Sequence, residues 1–189
     1  MTSNGDPTLK VHETELDGVL LLEPTVYRDD RGSFRELFNV DAFEAATDVR
    51  RQWVQDNHSH SARGVLRGIH YQVGYPQGKL VTCLSGEIFD VAVDLRKSSP
   101  RFGEWTAATL SEANGRQLWI PEGFGHAFFV VSESADIVYK VTERYDPAGD
   151  RSIAWDDPDL AINWPVVGSP LLSGKDAAAP RLADAEVFE

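Results

Sequence analysis

The chain has 189 residues, 42% of them apolar and 25% charged, which is enough for one domain with a proper core and excludes wholesale disorder. Thirty acidic residues against eighteen basic ones give a net charge of −12, which argues against non-specific nucleic-acid binding and against docking on an anionic membrane surface. The single cysteine, Cys83, excludes a disulfide scaffold and a Cys-rich zinc site, and its apolar run Leu80–Leu84 marks it as buried filler.

Taken in chain order, residues 1–8 read as a loose start. Met1–Asp6 lacks the basic opening and apolar centre of a signal peptide, and no apolar run approaches the ~20 residues a membrane span needs. A cytoplasmic location is the default expectation. Val19–Leu22 is a short apolar strand. Val40–Ala46 is the one helix candidate, with Asn39 or Asp41 as its cap. Leu80–Leu84 and Glu87–Arg96 read as a hairpin turning at Ser85-Gly86. The second of these alternates, with Phe89, Val91, Val93 and Leu95 on a core face and Asp90 and Asp94 on the other, as a half-buried strand does. Gln117–Ile120 is another short strand. Ala127–Val131 and Ile137–Arg144 read as a second pair around Ser132–Asp136. The Ala- and Asp-rich end, residues 177–189, is expected as a tail with some mobility. Many short strands, frequent Gly and Pro turns and little helix predict one all-β domain, an antiparallel sandwich or barrel over residues 1–189. No Gly-rich loop joins a strand to a helix, so Rossmann and P-loop readings have no support.

Two segments carry a recognisable spacing. Gly115-x5-Pro121-x-Gly123-x2-His126 resembles the second motif of the cupin superfamily, with Val130 where its final Asn would stand. Gly64-x5-His70-x-Gln72 with Lys79-x6-Gly86 resembles a degenerate first motif. The resemblance implies a jelly roll. It would place His70, Gln72, Lys79 and His126 where metal-binding cupins carry their ligands. A charged Lys has no lone pair and repels a divalent cation, so the expectation is a pocket without a metal. His58-Ser59-His60 could put two imidazoles on one strand face, but no Glu follows at a sensible distance. A polar strand end is the better reading.

A narrower resemblance rests on many segments in order. They are Asp30-Arg31-Gly32-x-Phe34-x-Glu36, Gln55-x-Asn57, Gly64–Gln72, Gly78–Val81, Pro121–His126, Tyr139-Lys140, Asp156–Asp159, Asn163–Pro165 and Leu172–Asp176. Together they resemble the dTDP-4-dehydrorhamnose 3,5-epimerase family over nearly the whole chain. What the resemblance implies is a cofactor-free epimerase acting on a dTDP-4-keto-6-deoxyhexose. His70 matches the base, Asp176 the carboxylate that orients it, Lys79 the cation near the C4 oxygen, and Tyr139 the acid on the opposite face. Arg67 and His126 match pocket residues. Arg31, Phe34, Glu36, Gln55 and Asn57 match residues holding the dTDP portion, part of which the family's partner subunit lends within a homodimer. The spacer 73–78 is where the chain departs from the family pattern, and it bears on how Lys79 approaches the substrate. Epimerases of C3 alone or C5 alone keep the same residues. A non-catalytic nucleotide-sugar-binding cupin and a metal-dependent cupin oxygenase are the readings from other classes.

The residue types suit the chemistry. Inverting a carbon needs proton removal and return from opposite faces. An imidazole is a usable base near neutral pH. A paired carboxylate fixes its tautomer. Tyr139 shares a strand face with Ile137 and Val141, so its phenol is expected to point inward; a core tyrosine with a satisfied hydroxyl is the competing reading.

Overall fold

The computed structural model describes residues 9–189; the expected loose start lies outside them. The strands are β1 (Leu9–Glu13), β2 (Leu20–Pro24), β3 (Val26–Asp29), β4 (Gly32–Arg35), β5 (Gln55–Ala62), β6 (Leu66–Gln72), β7 (Lys79–Ser85), β8 (Glu87–Asp94), β9 (Trp105–Ser111), β10 (Gln117–Ile120), β11 (Phe124–Val130), β12 (Ser134–Val141) and β13 (Asp150–Ser152). Helix α1 spans Val40–Thr47 and α2 spans Gly174–Ala177. One sheet has the order β1-β2-β10-β7-β12-β5, the other β13-β6-β11-β8-β9, and β3-β4 stand apart as a hairpin. The result is the cupin-type jelly roll expected from the sequence. No helix among the described residues is long and apolar enough to cross a membrane.

Three apolar layers hold the sheets. Between them lie Val81, Cys83 and Ile137 from one sheet and Ile88, Ala92 and Phe128 from the other. The outer face of the five-stranded sheet is covered by the C-terminal third, through Ile153, Leu160 and Val187. The outer face of the six-stranded sheet is covered by Phe43 of α1, packed on Trp119, Leu22 and Leu80. Asn39 caps α1, its side chain accepting from the amides of Asp41 and Ala42, so the sequence-predicted helix and one of its two candidate caps are both present.

Both expected hairpins are corrected. β7 pairs with β10 and β12, whereas β8 pairs with β11 and β9, so Ser85-Gly86 is a corner between sheets. β11 and β12 likewise lie in different sheets. Adjacent strands with a tight turn usually pair, but in a two-sheet roll the chain crosses over at each such turn. The half-buried reading of Glu87–Arg96 changes with it. β8 is an interior strand with both faces covered, so Asp90 and Asp94 are buried rather than solvated. Asp94 meets this by binding Arg96 and Ser99. Residues 177–189, expected to carry some mobility, are fastened down. Val187 is buried, the Tyr71 hydroxyl donates to the Glu186 carbonyl at 2.6 Å, and Phe188 packs on Tyr71 with ring centres 5.7 Å apart.

A candidate active site between the sheets

The inner faces of the two sheets meet at an open end, and a cavity of about 290 Å³ opens there. Its lining includes Gln55 and Asn57 from β5, His70 from β6, Lys79 from β7, Tyr139 from β12 and Asp150 from β13, with Tyr145 and Lys175 at its edge. Period-two alternation points Gln55 and Asn57 inward, and does the same for Tyr139, which packs with Ile137 against the core.

Arg67 and His70 are three apart on one strand, a spacing that would normally send them to opposite faces. A register shift changes this. His126 pairs with His70 and Phe128 with Arg67, so three steps on β6 match two on β11. This bulge puts Arg67 and His70 on the same face of the sheet, with His70 half-buried and Arg67 exposed. The Arg67 guanidinium donates to the Ser61 hydroxyl at 3.1 Å, and its charge acts on the Tyr139 phenol.

His70 is one-third exposed to the cavity, and its Nε2 lies 2.5 Å from Asp176 Oδ1. Asp176 comes from 106 residues later in the chain. The bridge of Val65 to Leu171 and the Leu66 amide to the Leu171 carbonyl lay that segment along β6. Ser173 caps α2: its hydroxyl accepts from the Asp176 amide and donates to Asp176 Oδ2 at 2.8 Å. Burial opposes ionisation of Asp176, but hydrogen bonds from His70 and Ser173 outweigh it and hold the carboxyl below the usual range. An ionised carboxylate only accepts, so Nε2 of His70 carries the hydrogen and Nδ1 is left as the basic atom.

Lys79 is 7% exposed, and its ammonium donates to the His70 carbonyl at 3.3 Å. Burial pushes it down to about 8, against the opposing pull of Asp150 and Asp90. Burial pushes the Tyr139 phenol up from its ordinary value, so it stays protonated and able to donate. His126 is also buried, its ring centre 6.4 Å from that of Tyr139, and its Nε2 lies 2.8 Å from Asp90 Oδ1.

Of the sequence-predicted residues, His70, Lys79, Tyr139, Gln55 and Asn57 line this cavity, while Asp176, His126 and Arg67 stand behind that lining, Asp176 bonded to His70, the His126 ring beside Tyr139 and the Arg67 charge acting on Tyr139. Arg31, Phe34 and Glu36 are not among the residues lining it. The first two stand on the β3-β4 hairpin, where Arg31 pairs with Asp29 and Phe34 is 69% exposed. Phe34 and Glu36 border a different, apolar cavity with Phe38 and Phe43. His58 and His60 sit on the outward face of β5, both against Asp136 Oδ1 at 2.9 and 3.1 Å. Sequence reasoning missed Asp90, which alternation assigned to solvent, and it left Asp150 and Lys175 without a role. Those two pair at the cavity edge, where the Tyr145 hydroxyl also donates to Asp150. Only a charged pair flanking the dyad segment in space, not in sequence, could have signalled them.

The family model for dTDP-4-dehydrorhamnose 3,5-epimerase matches residues 13–184. A dTDP-4-dehydrorhamnose 3,5-epimerase of Pseudomonas aeruginosa is 52% identical over 180 residues, covering 95% of this chain and 99% of the relative. The crystal structure of an epimerase from Legionella pneumophila, in complex with dTDP-4-keto-L-rhamnose, superposes with a TM-score of 0.91 at 48% identity, covering 93% and 94% of the two chains. A 3'-monoepimerase from Streptomyces bikiniensis, in complex with dTDP-quinovose, gives a TM-score of 0.85 at 36% identity, covering 91% and 87%. By its motifs, its fold and these matches, the chain belongs to the dTDP-4-dehydrorhamnose 3,5-epimerase family.

Proposed function

We propose that this chain inverts C3 and C5 of dTDP-4-dehydro-6-deoxy-D-glucose to give dTDP-4-dehydro-L-rhamnose. The observation that carries the reading is one cavity holding a His70–Asp176 dyad, the Tyr139 phenol and the Lys79 ammonium. Both carbons flank the C4 ketone. His70 Nδ1 removes the proton from one of them, and the charge moves onto the C4 oxygen as an enolate. A ketone's α-proton is too weakly acidic for imidazole alone. Lys79, with His126, must supply several kcal/mol of oxyanion stabilisation, on the order of what preorganised donors give. Asp176 steadies the imidazolium that forms. Tyr139 returns a proton from the opposite face, which inverts the carbon, and the same enolate oxygen serves the second carbon.

Arg67, Gln55 and Asn57 hold the nucleotide side of the substrate from within the chain. Arg31, Phe34 and Glu36 contribute from the hairpin of a second subunit, as members of a homodimer. Their separation from the His70 cavity in one chain, and the exposure of Phe34, support this sharing.

The same fold in a 3'-monoepimerase makes inversion at one carbon the second reading. Incubation with dTDP-4-dehydro-6-deoxy-D-glucose, with the product stereochemistry read by NMR, separates the two. Inversion at both C3 and C5 is expected. Inversion at C3 alone would replace the proposal with mono-epimerisation.

A further inference from the structure

Asp90 lies on the inner face of β8, set between Ile88 and Ala92 of the core. It is fully buried. One oxygen meets His126 Nε2 at 2.8 Å, and the other, Oδ2, has no hydrogen-bond partner among the described residues. Lys79 exerts its charge from the neighbouring sheet but forms no ion pair with it. A half-satisfied buried carboxyl group is costly, and apolar residues of similar volume would pack here more favourably. Such a group persists where a site needs it.

We infer that Asp90 is a positioning residue: its carboxylic acid donates to His126 Nε2, fixes the ring hydrogen on Nδ1, and so makes His126 an N–H donor toward the C4 oxygen. The inference rests on the epimerase reading above. Three features support it. Complete burial, which outweighs the pull of His126 and Lys79, raises Asp90 above the ordinary carboxyl range, and this favours the protonated form. A protonated carboxyl needs no second partner of opposite charge, which suits the unpartnered Oδ2. Finally, His126 Nδ1 makes no hydrogen bond to any described residue, and the ring sits beside Tyr139, which lines the cavity. An ionised Asp90 would instead accept from Nε2–H and leave a lone pair on Nδ1, which repels an enolate oxygen.

The two arrangements differ in what Asn can replace. An amide donates as a protonated acid does. Asp90→Asn is therefore expected to retain most of the wild-type kcat, whereas Asp90→Leu, which removes the donor, loses about a hundredfold in kcat with KM little changed. Equal damage from Asn and Leu, or none from Leu, overturns the inference. NMR of the labelled histidines in the wild-type protein reads the tautomer directly and needs no variant to fold. A hydrogen on His126 Nδ1 is expected, and a bare Nδ1 contradicts the inference. If the wild-type enzyme turns over no dTDP-4-keto sugar, the epimerase reading fails, while the tautomer measurement still judges Asp90.

Discussion

Under the proposed function, His70 and Lys79 do separable jobs in one cavity, and their environments make those jobs testable. His70 is tied to Asp176 on one side and faces open space on the other. Truncation to His70→Ala is expected to abolish turnover and leave dTDP binding within a few-fold by calorimetry; unimpaired turnover would remove it as the base. Lys79 must be a cation to hold an enolate oxygen. Burial lowers it to about 8, so the cation is intact below that pH and lost above it. The log of kcat/KM is therefore expected to be level near neutrality and to fall about tenfold per unit on the alkaline side of pH 8. Replacement by Arg, which stays charged, should remove that limb. A limb that survives in Lys79→Arg belongs to another group.

At the scale of elements, the sequence was legible where one strand or helix decides the answer. The α1 cap, the inward Tyr139 and the pairing-ready runs at Val19–Leu22 and Gln117–Ile120 all follow local pattern, and the last two do lie side by side. It was not legible where two sheets decide. Alternation identifies a strand's two faces but does not say that both are covered, so Asp90 was assigned to water. Turn residues mark a change of direction but not a change of sheet, so Gly86 was read as a hairpin. The Arg67 and His70 convergence depends on a bulge whose one mark within 66–70 is Gly68, at a φ of +121° and too close to Ala127 to carry a Cβ, a signal that alternation alone passes over. Gly86 offers a direct check of the corner. Its φ is +78°, and a Cβ would fall deep inside contact distance of the Ser134 carbonyl and 2.5 Å from the Ser132 hydroxyl. Gly86→Ala is expected to cost about 3 kcal/mol by denaturant unfolding. A loss below ~1 kcal/mol would show that the corner tolerates a side chain.

For the whole molecule, the chain is not self-sufficient under the proposed function. The dyad, Lys79 and Tyr139 share a cavity, while Arg31 and Phe34 sit on a hairpin outside it. These residues were recognisable from motif order along the sequence, but motif order does not tell which chain supplies each to a given site. A shared site in a homodimer predicts complementation. Mixing His70→Ala with Arg31→Ala, after subunit exchange, should restore activity, because each mixed dimer has one site carrying both native residues. No recovery after verified exchange would mean that each chain builds its site alone.

Under the proposed function, groups on opposite faces of one cavity exchange protons at the carbons beside a C4 ketone. Incubation with dTDP-4-dehydro-6-deoxy-D-glucose in deuterium oxide, read by mass spectrometry and NMR, tests it most directly. Enzyme-dependent deuterium at both C3 and C5 of an inverted product is the predicted result. Bound dTDP with no enzyme-dependent deuterium at either carbon would contradict it and leave a nucleotide-sugar-binding protein.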